Sequence, residues 1–413
     1  MQRLTTWSCR FGTYLLCALL PTAIAQFNSG SDGSDGVFAP SVDVEIDLSR
    51  ASSAAWNTAS LVPGLGIYDA EKWVVVYKFT SVTIPAGVTV TFKTHPKGAP
   101  VVWLVQGDVL LEGRIILDGA SGDALQDFPS PGPGGFCGGR RAAGAQGASG
   151  GFGPGGADHL SGTAGAGGGY ATEGESAGGA SGGSVYGNDH ITPLIGGSGG
   201  SAGLQGAGGA GGGAILIAAS GQIQIQTNAL ISARGGNGGQ NDGGGGSGGA
   251  VRCMAQSITG AGQILATGGV SGDPGAGDGG QGRIRLEAIS VDYSGAAVPA
   301  PQIGAPDYVL PPNSAPRLSL HALNGMQIPR DPRAGIDTPD LSTRNADLVT
   351  LTVEAWNVPV ETTVVVCVKP ESGEAGRYMS TPLTGSFAYS TAMVEVLLPK
   401  QRSEIYLEAH WPR

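Results

Sequence analysis

Two Asp-His dipeptides, Asp158-His159 and Asp189-His190, are the most chemically suggestive pairs in the chain, because they set two of its 5 histidines beside a carboxylate. A carboxylate can orient an imidazole for metal ligation. A metal, however, needs three or four converging ligands, and neighbours in sequence do not supply them. Solvated loop tips are the simpler reading of both dipeptides. Asp273 to Gly282 is one loose copy of a Gly/Asp calcium-binding pattern, and such patterns act as repeats. Asp32 and Asp35 could touch a cation, yet Ser-Asp-Gly is ordinary turn chemistry. Glycoside hydrolysis needs two facing carboxylates, and Asp118 aligns with Thr267, and with Ala233 if the insertion is placed before it, so no acidic ladder forms. No Ser or Cys carries the partner pattern of an activated nucleophile. A phosphate-cradling Gly loop needs a helix behind it, and no helical pattern follows any Gly run. The sequence therefore predicts no catalytic residue, no cofactor-binding residue and no metal ligand.

The elements that would position such groups are strands. Ile215 and Ile217, Val251 and Cys253, and Ile284 and Leu286 share one phase, with Arg252 and Arg285 between them. Alternation puts the apolar residues inward and the arginines outward. Gly113–Gly119 aligns without a gap to Gly262–Gly268 and, with one insertion, to Asn228–Gly235. The leading Gly or Asn tolerates a left-handed corner. Each copy is a unit of roughly twenty residues that cannot bury its face alone. Stacked copies give a parallel β-solenoid. In that register Cys253 is a buried, unreactive thiol acting as a small hydrophobe.

Between these copies the chain is dominated by glycine. Residues 119–282 hold 57 of the 74 glycines, and the spacing is phased. From Gly132 to Gly168 every third residue is Gly except Arg141 and His159, and from Gly197 to Gly212 the period is unbroken. A period of three belongs to an extended threefold helix. Collagen would also need abundant Pro, and the run 197–212 has none. Extended Gly helices can instead pack side by side, with glycine where backbones touch. Ser198, Ser201, Leu204, Ala207 and Ala210 then occupy an outward third position. A flexible Gly-rich linker is the alternative, but a linker does not need phasing.

These features divide the chain. Residues 1–25 read as a secretory signal peptide, with Arg3 and Arg10, an apolar core from Phe11 to Leu20, and cleavage between Ala25 and Gln26. Removing two arginines takes the net charge from −10 to −12, which disfavours nucleic acid and anionic membranes as partners. No later segment reads as a transmembrane anchor. Three cysteines, Cys137, Cys253 and Cys367, remain, an odd number that excludes a disulfide framework. Residues 26–118 form an N-terminal β region with the first coils, 119–213 a Gly-rich subdomain, and 214–293 further coils with short Gly loops. Residues 294–315, with five prolines, read as a semi-rigid linker. In 316–413 alternating strands and turns suggest an immunoglobulin-like β-sandwich. The expected class is all-β.

The Phe27-Asn-Ser-Gly-Ser lead, the Ile84–Phe92 strand pair and the Gly-Gly-Gly-Ala-Ile-Leu-Ile coil resemble a group of uncharacterised, Gly-rich, exported bacterial proteins. The Gly tract is similar to the polyglycine-II domains of phage tail-tip adhesins. Neither resemblance carries a catalytic motif. The expectation is an exported structural or adhesive surface protein presenting a Gly-rich face, secreted or held at the cell surface, with a polysaccharide or other surface component as partner. A carbohydrate-active solenoid, lyase or hydrolase, is the alternative, and an ice- or surface-binding protein the third reading.

Overall fold

The computed structural model describes residues 26–122, 128–142, 147–329, 339–343 and 348–411. The signal-peptide segment, with Ala25, lies outside them, and Gln26 is the first described residue. Among the described residues the fold is all-β, with one short 3-10 turn at Leu48–Arg50 and no α-helix.

Two sheets stack rung on rung. The larger runs from Gln302–Gly304 through Arg283–Tyr293, Ala250–Gly260, Ala214–Ile225 and Val101–Val105 to Val74–Ile84 and two short strands. The smaller runs from Ala297–Val298 through Gln263–Leu265, Leu230–Ser232 and Arg114–Ile116 to Thr89–Lys93 and Val44–Asp47. Pairing is parallel, except where Ile67–Asp69 meets the start of Val74–Ile84. Ile215 lies level with Val251 and Val101, and Val251 with Ile284. Ile217 lies level with Cys253, and Cys253 with Leu286. The expected phase therefore holds, and these residues share one buried core between the sheets. Trp103, wholly buried, packs there edge-on to Phe38 and Phe79.

The corner alignment holds with one shift, but the corners are not left-handed: none of Gly113, Asn228 and Gly262 takes a positive φ, and glycine serves at 113 and 262 because a Cβ would meet Val88 O at 2.3 Å and Gln226 O at 2.4 Å. Ile231 lies level with Ile115 and Ile264. The inserted residue is absorbed at the corner, where the Ala229 N–H donates to Gln226 O. Arg234, not Ala233, is thereby set beside Asp118, whose Oδ1 accepts the Arg234 N–H at 2.7 Å and the Ser232 hydroxyl at 2.5 Å. Part of the Pro-rich segment 294–315 also belongs to the stack. Ala297–Val298 and Gln302–Gly304 form the last rung. Prolines at 299 and 301 fall at the ends of these short strands, where a lost N–H is tolerated.

The glycine tracts of successive rungs converge into one hydrogen-bonded bundle. Its centre is residues 206–213. The N–H groups of Gly206, Gly209 and Gly212 donate to the carbonyls of Asn241, Gly244 and Ser247. Those of Gly208 and Gly211 donate to Gly139 and Phe136, and those of Ala210 and Gly213 to Ala120 and Leu117. In return, the carbonyls of Gly206, Gly209 and Gly212 accept from Gly203, Gly200 and Gly197, and those of Ala207 and Ala210 from Gly239 and Gly236. Successive residues thus address different neighbours, and each neighbour is met again three residues later. This satisfies the backbone groups that burial would otherwise strand. The third position is not outward, as the spacing alone suggested. Ser198, Ser201, Ala207 and Ala210 are wholly buried, because chains close in on every side, and only Leu204, at the 203–206 turn, is exposed.

The larger sheet is covered on its outer face too. Val76, Val102, Leu104, Leu216 and Met254 pack beneath Tyr170, Ile191, Leu194 and Leu310. Arg252 and Arg285 point to this side, as alternation requires, but Arg252 is buried. The C-terminal part forms two antiparallel sheets, of five and three strands, which share a core that includes Leu351, Val353, Val366 and Val394.

Candidate binding cleft

A cleft of ≈ 2410 Å³ opens between the outer side of the stack, the segment after the last rung and the C-terminal sheets. Its first wall is the turn around Asp69. One Asp69 oxygen accepts the Trp56 N–H at 2.8 Å, and the other accepts those of Glu71 and Lys72 at 2.9 and 3.1 Å. Trp56 is thereby held half-buried at the cleft, near Tyr68, whose ring stacks on His95 at 4.1 Å. The second wall is the loop 187–193. Asn188 accepts the His190 N–H at 3.0 Å and donates to Thr192 O at 2.6 Å, which leaves the His190 ring exposed at the rim. Lys72 ties the floor to the first wall by donating to Pro311 O and Asn313 Oδ1 at 2.7 and 3.0 Å. The third wall carries Trp356, covered by the Arg317 guanidinium at 4.0 Å, together with Tyr406 and Trp411. Arg317 also pairs with Glu71 across the cleft.

Of the residues singled out from sequence, only His190 reaches this cleft. Its neighbour Asp189 turns away to pair with Arg283 at 2.5 Å. Asp158 and His159 are not a solvated loop tip. His159 is buried, with Nδ1 3.0 Å from Ala202 O, and burial pulls its pKa down. It replaces glycine in the period of three, at a place where the chain is enclosed. Asp158 pairs with Lys369 of the C-terminal part at 2.9 Å. Asp35 accepts the Lys78 and Gly64 N–H groups and the Ser60 hydroxyl, so it ties distant segments together and not its own turn, whereas Asp32 accepts the Ser34 N–H at 2.9 Å as turn chemistry does. Asp32 stands 3.6 Å from the Lys78 ammonium. Asp273 accepts the Asn241 and Asp242 N–H groups, and Asp278 that of Ser271. Among the described residues no group of three or more His, Cys, Asp or Glu could hold a metal ion.

The junction between the Gly bundle and the C-terminal sheets was not visible in the sequence. Glu404 accepts the Gly153 N–H at 2.9 Å and the Tyr406 hydroxyl. Burial pushes its pKa above the ordinary carboxylate range, against the pull of those two donors. Arg140 pairs with Glu371 at 2.6 Å, and Phe136 meets Tyr406 edge to face at 6.3 Å between centroids. Alternation in Val364–Pro370 and Ser403–Ala409 puts Lys369, Glu404 and Tyr406 on one face, but not what covers that face.

No family model, curated protein or solved structure matches this chain. The functional reading therefore rests on geometry. No helix among the described residues is long and apolar enough to cross a membrane.

Cys253 provides a test of the register. It is wholly buried, and burial alone pushes its thiol up to about 12. Thiolate is the reactive form, so a thiol reagent at neutral pH should leave Cys253 unlabelled until denaturant is added. Labelling of the native chain at the denatured rate would show that the inner face is assigned wrongly.

Proposed function

We propose that this protein is an exported adhesive protein that holds an extended polysaccharide in the cleft between the stack and the C-terminal sheets. The carrying observation is the size and lining of the cleft. At ≈ 2410 Å³ it exceeds the roughly 300–1,000 Å³ typical of small-molecule sites. Trp56 and Trp411 offer apolar ring faces, on which the C–H faces of sugar rings can rest. Asn188, His190 and Asn357 offer hydrogen bonds to hydroxyls. The acidic balance of the chain favours a neutral polymer over a polyanion.

In this reading the stacked sheets are a parallel β-solenoid, the glycine bundle is of the polyglycine-II type, and the two antiparallel sheets are an immunoglobulin-like sandwich. The bundle is a scaffold, not a contact face, since its third-phase residues are buried. Export rests on the pattern of residues 1–25.

The test is a glycan array on the mature chain, followed by titration of the best binder. Trp56→Ala and Trp411→Ala should each weaken binding about tenfold or more, on the order of 1.4 kcal/mol, with unchanged circular dichroism. Full affinity in both variants would sink the assignment of the cleft. Release of reducing ends, abolished by one Asp or Glu substitution, would favour the lyase or hydrolase alternative.

A further inference from the structure

The strand Ser403–Ala409 lies at the edge of the three-stranded sheet, and its residues Ser403, Glu404, Tyr406 and Leu407 line the cleft. Alternation sets Glu404 and Tyr406 on one face, two residues apart. Glu404 is half-buried there, and its two oxygens have different surroundings. Oε2 accepts the Gly153 N–H at 2.9 Å and the Tyr406 hydroxyl. Oε1 has no partner among the described residues and is not sealed from solvent. Lys369, the cross-strand neighbour of Glu404, is turned to Asp158 at 2.9 Å. Two other carboxylates of the cleft are already committed, since Asp69 accepts three backbone N–H groups and Glu71 pairs with Arg317. Tyr406 is half-buried at the cleft, and Phe136 supports its ring edge to face at 6.3 Å. A pinned acceptor and a supported ring thus stand side by side at the bundle end of the cleft.

We propose that Glu404 is a specificity-determining residue of the cleft, accepting a hydroxyl of a neutral sugar at Oε1 beside the Tyr406 ring. This rests on the reading of the cleft as a polysaccharide site. Because two donors hold Oε2, the carboxylate presents Oε1 without reorienting, and little side-chain entropy remains to be lost on binding. A hydrogen bond to an ionised acceptor is roughly twice as strong as one between neutral groups. The enclosure that raises the Glu404 pKa also strengthens a bond that its carboxylate accepts. An ionised carboxyl has no proton to donate. It therefore selects a free hydroxyl over an ether or ester at the same place, and it repels a uronate or a sulfate. Asn188, His190 and Asn357, which line the cleft elsewhere, do not make that distinction, because an amide or a neutral imidazole both donates and accepts.

The experiment is calorimetric titration of the full-length mature chain with cellohexaose, xylohexaose, mannohexaose and chitohexaose, each free and per-O-methylated. For a hexaose that binds, methylation is expected to weaken binding to the parent chain about tenfold or more. Glu404→Gln keeps an acceptor for the Gly153 N–H and turns an amide N–H toward the cleft. It should lose about tenfold for the free hexaose and narrow the gap between free and methylated forms by the same factor, with unchanged circular dichroism. A residue that only positions Tyr406 would weaken both forms alike, and that result overturns the proposal. So does parent affinity in Glu404→Gln, or a parent chain that binds both forms equally, a measurement that needs no variant. If Trp56→Ala and Trp411→Ala weaken binding while Glu404→Gln does not, the cleft reading stands and this assignment falls. If none of these hexaoses binds, both fall.

Discussion

Gly209→Val is expected to destabilise the protein by about 3 kcal/mol or more and to release protection across residues 206–213 in hydrogen exchange. A side chain at 209 would run into the backbone of Gly236 and the Gly246 nitrogen. Backbone cannot turn aside as a flexible side chain can. Displacing those neighbours opens four bonds together: Gly209 to Gly244, Gly200 to Gly209, Gly236 to Ala210 and Gly246 to Gly236. Each contributes only about 0.5–1.5 kcal/mol net, so the effect comes from losing them as a group. Ala207→Val should be disruptive as well, since Ala207 is wholly buried. Leu204→Ala, at the exposed turn, should stay within about 0.5 kcal/mol of the parent. A Gly209→Val chain as stable as the parent would mean that the tract is not packed as described.

Glu287→Ala is the second large effect. Glu287 is wholly enclosed and accepts from Arg252 at 2.9 Å and from Arg285. Arg252 also donates to Tyr308 O at 3.2 Å, so the chain after the last rung seals the cluster. Removing the carboxylate leaves two guanidinium groups short of a counter-charge. Breaking a buried pair from one side costs about 3–5 kcal/mol. Replacing Arg252 and Glu287 together with apolar residues should cost less, because only Arg285 is then left without its counter-charge. Chemical denaturation of both variants checks this. Equal losses in the single and double variants would show that the cluster acts by shape and not by charge.

The cleft and the junction differ in how much of them was legible. His190 was visible as a candidate, but its role at a rim depends on Asn188 turning the loop. Lys369, Glu371 and Glu404 look, in sequence, like the solvated phase of alternating strands. Each is paired or capped by a residue more than 200 positions away, in the Gly bundle. No local pattern encodes such a partner. Asp158 has a histidine beside it in sequence, whereas its contact is with Lys369.

The sequence by itself determined the periods: two in the strands, three in the glycine tracts, and the repeat that sets Cys253 level with Ile217 and Leu286. These are local, because alternation and the threefold helix follow from backbone geometry within a few residues. Tertiary structure decided what each period faces. An outward position on a lone threefold helix becomes interior once neighbouring segments surround it, as at Ala207 and Ala210. Arg252 is outward on its strand and yet buried, because Tyr308 and Val309 return across it. Period fixes direction relative to the chain, and only packing fixes whether that direction leads to water.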